Sequence, residues 1–190
     1  MNKQIQNEEL MFRVAEGDES AFQILVERHQ ASLLNLIYRF IGDRTKSQDL
    51  AQETFLRVWQ GVRGYSPKAK FTTWLYRIAA NLCLNELKAS RRKKWLRFFH
   101  VDTNEQTFGE EDFSDGSASP EDLLLLRERD RQLTQALQSL PENQRMALVL
   151  KRYDGLSYEE ISRVMNCSVS AVESLLVRAK RNLQGKLKIL

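Results

Sequence analysis

Apolar residues return every three or four positions through almost the whole 190-residue chain, and stretches that alternate polar with apolar are absent. That period is the helical one, so the chain can bury its side chains only by packing helix on helix. The expected fold is all-α. Leu10, Met11, Val14 and Ala15 mark a first helix, and Phe22, Leu25, Val26, Leu33, Leu36, Ile37 and Phe40 stripe a longer second one. Gly42-Asp43 breaks it. A third helix spans roughly 46–62 and ends before Gly64 and Pro67, and a fourth starts at Phe71 and runs into the basic cluster RRKKWLR at 91–97.

Between Phe98 and Pro120 the period is lost. The segment is rich in Ser and Gly, and residues 98–122 hold eight acidic side chains and no Lys or Arg. Such a composition buries too little apolar surface to order itself, so a flexible acidic linker is expected. Helices resume at Pro120, and Pro141 suits the first position of a further helix. The expected organisation is two small helical domains, 1–97 and 120–190, joined by a linker over 98–119. Residues 1–90 carry 12 Lys and Arg against 10 Asp and Glu, residues 91–97 five basic and no acidic residue, and residues 123–190 12 basic against seven acidic. Two basic surfaces flanking an acidic tether point to an acidic polymer as partner.

The sequence holds no phosphate loop and no nucleophile elbow. His29 and His100 are isolated, and Cys83 and Cys167 lack partners at ligand spacing, so no catalytic residue, metal or cofactor is expected. Two separated cysteines, no signal-peptide layout in residues 1–15 and no apolar run of membrane length lead to an expected cytoplasmic location.

Local chemistry concentrates in three places. From Gly155, Ser157 and Glu160 form a capping-box pattern. A short helix with Ile161, Val164 and Met165 facing inward follows. Asn166-Cys167-Ser168 then turns the chain into a longer helix capped by Ser168, with Val169, Val172, Leu175, Leu176 and Ala179 inward. Short helix, turn and longer helix make a helix-turn-helix, whose second helix enters a DNA major groove. Its outward positions are Ser170, Glu173, Ser174, Val177, Arg178 and Arg181. The third helix has a buried stripe of Leu50, Ala51, Phe55, Val58 and Val62, and a second face of Asp49, Gln52, Glu53, Leu56 and Gln60. A mixed polar and apolar face of that kind suits protein docking. On the fourth helix, Phe71, Leu75, Ile78, Ala79 and Leu82 are the expected core, while Trp74, Arg77, Asn81, Asn85 and Lys88 align on another face behind a loop containing Tyr65, Lys68 and Lys70. A ring, a guanidinium and two amides in line can stack on unpaired bases, bond their edges and touch phosphates.

In order and spacing these segments resemble the extracytoplasmic-function (ECF) class of bacterial sigma factors. GDESAFQILVERH resembles the first conserved segment of that family and DLAQETFLRVWQ its polymerase-docking helix. FTTWLYRIAANLCLNELK resembles its promoter-opening helix, and the stretch from Leu140 to Leu183 its terminal promoter-reading domain. The resemblance implies that Asp49, Gln52, Glu53, Phe55 and Trp59 contact the clamp helices of the largest polymerase subunit. It implies that Lys70, Trp74, Arg77, Asn81, Asn85 and Lys88 bind and melt the minus-10 element, capturing a flipped non-template base. Ser168, Ser170, Glu173, Ser174, Val177, Arg178 and Arg181 would read the minus-35 element as duplex. It further implies a contact with the polymerase flap, a linker threading near the active site, and restraint by an anti-sigma factor, often membrane-associated. Many members carry arginine where this chain has Glu173 and Leu175, so the minus-35 sequence it reads is expected to differ. Two rivals remain at this point: a stand-alone helix-turn-helix regulator and a helical adaptor that does not bind DNA.

Overall fold

A computed structural model describes residues 6–65, 70–99 and 120–187, and within these the side chains of all but 94, 96–99, 120–127 and 185–187. Among the described residues there are eight α-helices, one short 3₁₀ turn and no strand. They are α1 (Asn7–Ala15), α2 (Glu19–Ile41), α3 (Arg44–Gly61), the 3₁₀ turn Val62–Gly64, α4 (Phe71–Phe99), α5 (Pro120–Gln138), α6 (Glu142–Arg152), α7 (Tyr158–Met165) and α8 (Val169–Leu187). The all-α expectation holds. The expected linker falls mostly on residues 100–119, outside the described residues, while 98 and 99 belong to the end of α4.

The helix boundaries follow from local chemistry. Asp18 caps α2 by accepting the Ala21 N–H at 3.0 Å, and Asp43 caps α3 by accepting that of Lys46 at 3.0 Å. Between them Gly42 takes φ +79°, the left-handed conformation that ends a helix most cheaply at glycine. Pro141 sits one position earlier than expected, as the N-cap of α6, because its ψ of 141° is still extended. Ser157 and Glu160 close a complete capping box on α7, with bonds of 3.2 Å and 2.8 Å.

The first half, α1 to α4, packs around Leu10, Met11, Leu25, Leu33, Leu36, Ile37, Phe40, Val58, Phe71, Leu75 and Cys83, all buried. Phe22, Val26 and Ile78, expected in the core, are half-buried at its edge. Glu8 on α1 accepts the Phe71 N–H at 3.1 Å, so the first helix caps the fourth. Lys46 on α3 reaches Glu86 on α4 at 3.0 Å. The second half packs around Leu137, Leu140, Met146, Ala147, Val149, Leu150, Ile161, Val164, Val172 and Ala179.

The halves also press on one another, which the sequence did not foretell. α5 and α6 lie against α2, and α7 lies against α4. The Arg145 side chain crosses this boundary nearly buried, at 5% exposure. It donates to the Phe40 carbonyl at 2.6 Å, to the Gln138 side-chain oxygen, and to the Gln138 and Leu140 carbonyls at 3.2 Å each. Gln138 Nε2 donates to the same Phe40 carbonyl at 3.0 Å. Tyr76 on α4, buried at 5%, donates its hydroxyl to Asp154 at 2.8 Å. Burial pushes the Asp154 carboxyl up to about 6, and its second oxygen finds no partner.

The direction of the resulting pH dependence follows from that shift. Between about pH 4 and pH 6 the folded chain keeps a proton on Asp154 that the unfolded chain has released, so the contribution of this residue to stability falls as pH rises through that window. Asp154→Asn, which keeps an acceptor for Tyr76 without the charge, should match the parent near pH 3.5. Its advantage in urea unfolding should then grow to a plateau above pH 7. Equal free energies for the two proteins at pH 4 and pH 7.5 would show that the carboxyl titrates normally.

Candidate nucleic-acid interface

On α4 the buried and exposed faces divide much as their spacing foretells. Phe71, Leu75, Ala79, Leu82 and Cys83 are buried, and Arg77, Asn81, Asn85 and Lys88 are exposed along one line. Trp74 heads this ridge half-buried. Its ring lies 5.2 Å from Tyr65 and 6.4 Å from Phe71. A Cβ on Gly61 would touch it at 3.4 Å. The indole is therefore a fixed wall, oriented by three neighbours, beside a row of solvent-facing donors and acceptors. Lys70 stands exposed at the helix start and pairs with Glu160 of α7 at 2.9 Å, which raises its pKa above the ordinary lysine value. Toward the other end, Asn85, Lys88, Ala89 and Arg92 line an open groove of ≈ 310 Å³. Arg91, Arg92 and Lys93 carry positive charge onward. Residues 66–69 of the preceding loop lie outside the described residues.

Cys83, on the core side of this helix, has its thiol pushed up to about 12 by burial. Cys167 in the helix-turn-helix is half-buried, and both are free thiols. His29 is buried at 9% with its ring 5.2 Å from Phe71, and burial lowers its pKa.

α3 offers its outer face as a second surface. Asp49, Gln52, Leu56 and Gln60 are exposed, Leu56 at 49%, and Glu53 is half-buried while accepting from Arg57 at 2.8 Å. Phe55 lies in the core at 8% exposure, and Trp59 leans on Phe22 with ring centroids 5.0 Å apart. These two rings set the angle of the helix, and its solvent face is carried by the polar residues around Leu56.

The third surface is α8. Asn166 takes φ +50° and turns the chain out of α7. Ser168 accepts the Ala171 N–H at 3.2 Å and so caps α8 as foreseen. Val172 and Ala179 are buried, Leu175 and Leu176 half-buried, and Ser170, Glu173, Ser174, Val177, Arg178 and Arg181 all exposed. Val177 stands out at 60% exposure, an apolar side chain on a helix face otherwise polar.

Sequence reasoning missed the buried Arg145, Tyr76 and Thr73 and the half-buried Asp154. A single signal was available. Arg145 stands in ENQRMALVLK among residues that are themselves core, where an arginine needs a buried set of acceptors.

Residues 25–93 match Sigma-70 region 2, and residues 130–183 match Sigma-70, region 4. The RNA polymerase sigma-H factor of Pseudomonas aeruginosa is 36% identical over 194 residues, covering 99% of this chain and 97% of that protein. The ECF RNA polymerase sigma-E factor of Escherichia coli K12 is 34% identical over 195 residues, with the same coverage of 99% and 97%. In fold the chain is similar to the structure of CnrH in complex with the cytosolic domain of CnrY, with a TM-score of 0.69, 24% identity and coverage of 95% and 96%. It is similar as well to the sigma factor RpoE in complex with the anti-sigma factor NepR from Bartonella quintana, with a TM-score of 0.65, 22% identity and coverage of 88% and 97%. Aligned over 99% of its length with relatives at 34–36% identity, the chain belongs to the extracytoplasmic-function class of RNA polymerase sigma factors.

Proposed function

We propose that this sigma factor brings RNA polymerase core to promoters with two elements and opens the start-site duplex through three separate helix faces. The α3 face around Asp49, Gln52, Glu53 and Leu56 docks on the polymerase. The α4 ridge holds separated minus-10 bases, and the outer face of α8 reads the minus-35 duplex. The observation that carries this reading is the ridge. Arg77, Asn81, Asn85 and Lys88 stand in solvent in one line beside an indole already fixed by its neighbours. A preformed wall costs little ordering entropy when a base stacks on it, and stacking contributes about 1–3 kcal/mol per base. That is the size of the unstacking cost to be offset. Polymerase supplies the nucleotide chemistry. The full-length family match decides against the stand-alone regulator and the DNA-free adaptor.

An anti-sigma partner fits the same reading. The two fold neighbours are each described in complex with such a protein or with a cytosolic domain, and no helix among the described residues is long and apolar enough to cross a membrane. A cytoplasmic chain held at the membrane face by a membrane-associated inhibitor is consistent with both.

Three variants test the three faces. Arg77→Ala with Asn81→Ala, both on exposed positions, should lower the permanganate reactivity of promoter thymines by about tenfold or more while leaving core binding intact; this corresponds to about 1.4 kcal/mol of open-complex stability. Unchanged reactivity would remove the ridge from the melting step. Leu56→Ser should weaken association with core about tenfold without a change in unfolding temperature, as read by competition against a labelled sigma factor. On α8, Glu173 accepts from the cytosine amino group and Val177 meets a thymine methyl. Selection from a randomised minus-35 library should therefore return C and T at neighbouring positions. Glu173→Arg should convert the preferred C to G at one of them only, and a selected motif that does not respond would take Glu173 out of base contact.

A further inference from the structure

Building on that reading, we infer that Glu8 of α1 is a positioning residue for strand opening, because it supplies the N-terminal cap that α4 lacks and so fixes the turn that carries Trp74. The first N–H groups of a helix have no partner inside it, and a Ser, Thr, Asp or Asn just ahead of the helix usually accepts one of them. Here the residue ahead of Phe71 is Lys70, whose ammonium has no acceptor. The first turn of α4 also holds no acidic side chain to meet the positive end of the helix dipole. The cap comes instead from 63 positions away, where the Glu8 carboxylate accepts the Phe71 N–H at 3.1 Å. α1 lies ahead of residues 25–93, the stretch that matches Sigma-70 region 2, so the working unit for strand opening extends beyond that match.

Three contacts connect that cap to the ridge. The Trp74 N–H donates to the Lys70 carbonyl at 3.3 Å, at the very start of the α4 ladder, so fraying the capped turn releases the residue that heads the ridge. The Phe71 ring, beside the capped amide, packs 5.2 Å from His29 on α2 and 6.4 Å from the indole. Glu8 also acts on the other flank of the indole. Burial and then the Glu8 charge raise the Tyr65 hydroxyl above its ordinary pKa, and the Tyr65 ring lies 5.2 Å from Trp74. One carboxylate thus serves both residues that orient the indole. The arrangement has a chemical advantage for binding nucleic acid. A capping Ser or Asp at position 70 would remove a lysine, whereas a cap delivered by α1 leaves an exposed cation at the start of the ridge. A base stacks only on the ordered turn, so its apparent affinity falls with the fraction of molecules in which that turn is formed.

The test compares variants of the full-length chain assembled with polymerase core. Glu8→Ala should lower the permanganate reactivity of minus-10 thymines about fivefold, the usual effect of losing a helix cap. Its affinity for core, read by competition against a labelled sigma factor, should stay at the parental value, because Leu10, Met11 and Val14 still hold α1 in the core. Glu8→Gln, which keeps an oxygen acceptor at the same reach, should recover most of the reactivity. Asn7→Ala removes a different tether of α1, the 2.7 Å bond that Arg28 donates to Asn7. It should lower the unfolding temperature while keeping parental reactivity. Parental reactivity in Glu8→Ala overturns the inference, and so does an equal loss in Asn7→Ala, which would reduce Glu8 to a general anchor of α1. A Glu8→Gln chain as poor as Glu8→Ala overturns the hydrogen-bonded cap. Arg77→Ala with Asn81→Ala is the separate check on the ridge. If that pair loses reactivity while Glu8→Ala keeps it, only the positioning role fails, and if the pair keeps it, the ridge reading itself fails.

Discussion

A guanidinium seated on the carbonyl end of α2 decides how the two halves of this sigma factor meet. The last carbonyls of a helix have no partner inside it and carry partial negative charge. Gly42 ends α2 in a left-handed turn that leaves the Phe40 carbonyl pointing toward the second half. Arg145 fills that position and takes three further acceptors from its own half, with its charge over the Phe40 ring at 5.3 Å. Breaking one partner of a buried charge costs about 3–5 kcal/mol, against 0.2–1 kcal/mol for an exposed ion pair. By that measure Arg145 outweighs the peripheral pairs Lys70–Glu160 and Arg91–Glu142, whose basic partners are largely exposed.

α4 serves three surfaces at once, and this explains its length and its composition. One stripe, from Phe71 to Cys83, belongs to the core of the first half. A second, with Tyr76, faces α7. The third is the exposed ridge from Arg77 to Lys88. A helix buried on two faces cannot show a strong single amphipathic pattern, and this one mixes rings, alanines and amides along its whole first half. The rigidity of the ridge comes from the other two faces. Trp74 cannot turn without moving Tyr65 or Phe71, and the N-terminus of the helix is held by Glu8.

Much of this was legible in the sequence because it is local. Capping by Ser157, Glu160 and Ser168, the break at Gly42-Asp43 and the outward face of α8 each depend on residues a few positions apart, and each stands where the spacing puts it. The contact between halves was not legible, because its pairs lie 78 to 105 positions apart in Tyr76–Asp154 and Arg145–Phe40 and no periodicity links them. Phe55 shows the same limit within a single helix. Spacing placed it on the buried stripe while its resemblance to a docking helix placed it at an interface, and its 8% exposure puts it in the core beneath that face.

The boundary between halves mixes apolar packing with polar contacts. The buried apolar residues run as one cluster through both halves, and Arg145, Tyr76 and Asp154 add hydrogen-bonded groups that water can also satisfy. Asp154 in particular is held at a cost, its carboxyl buried with one oxygen unpaired and its pKa near 6. On separation that carboxylate regains water, and the Arg145 head group, freed from Phe40, keeps the Gln138 and Leu140 carbonyls of its own half. Separation of the halves would therefore leave no buried charge stranded, and its cost would lie in the apolar surface that both halves expose.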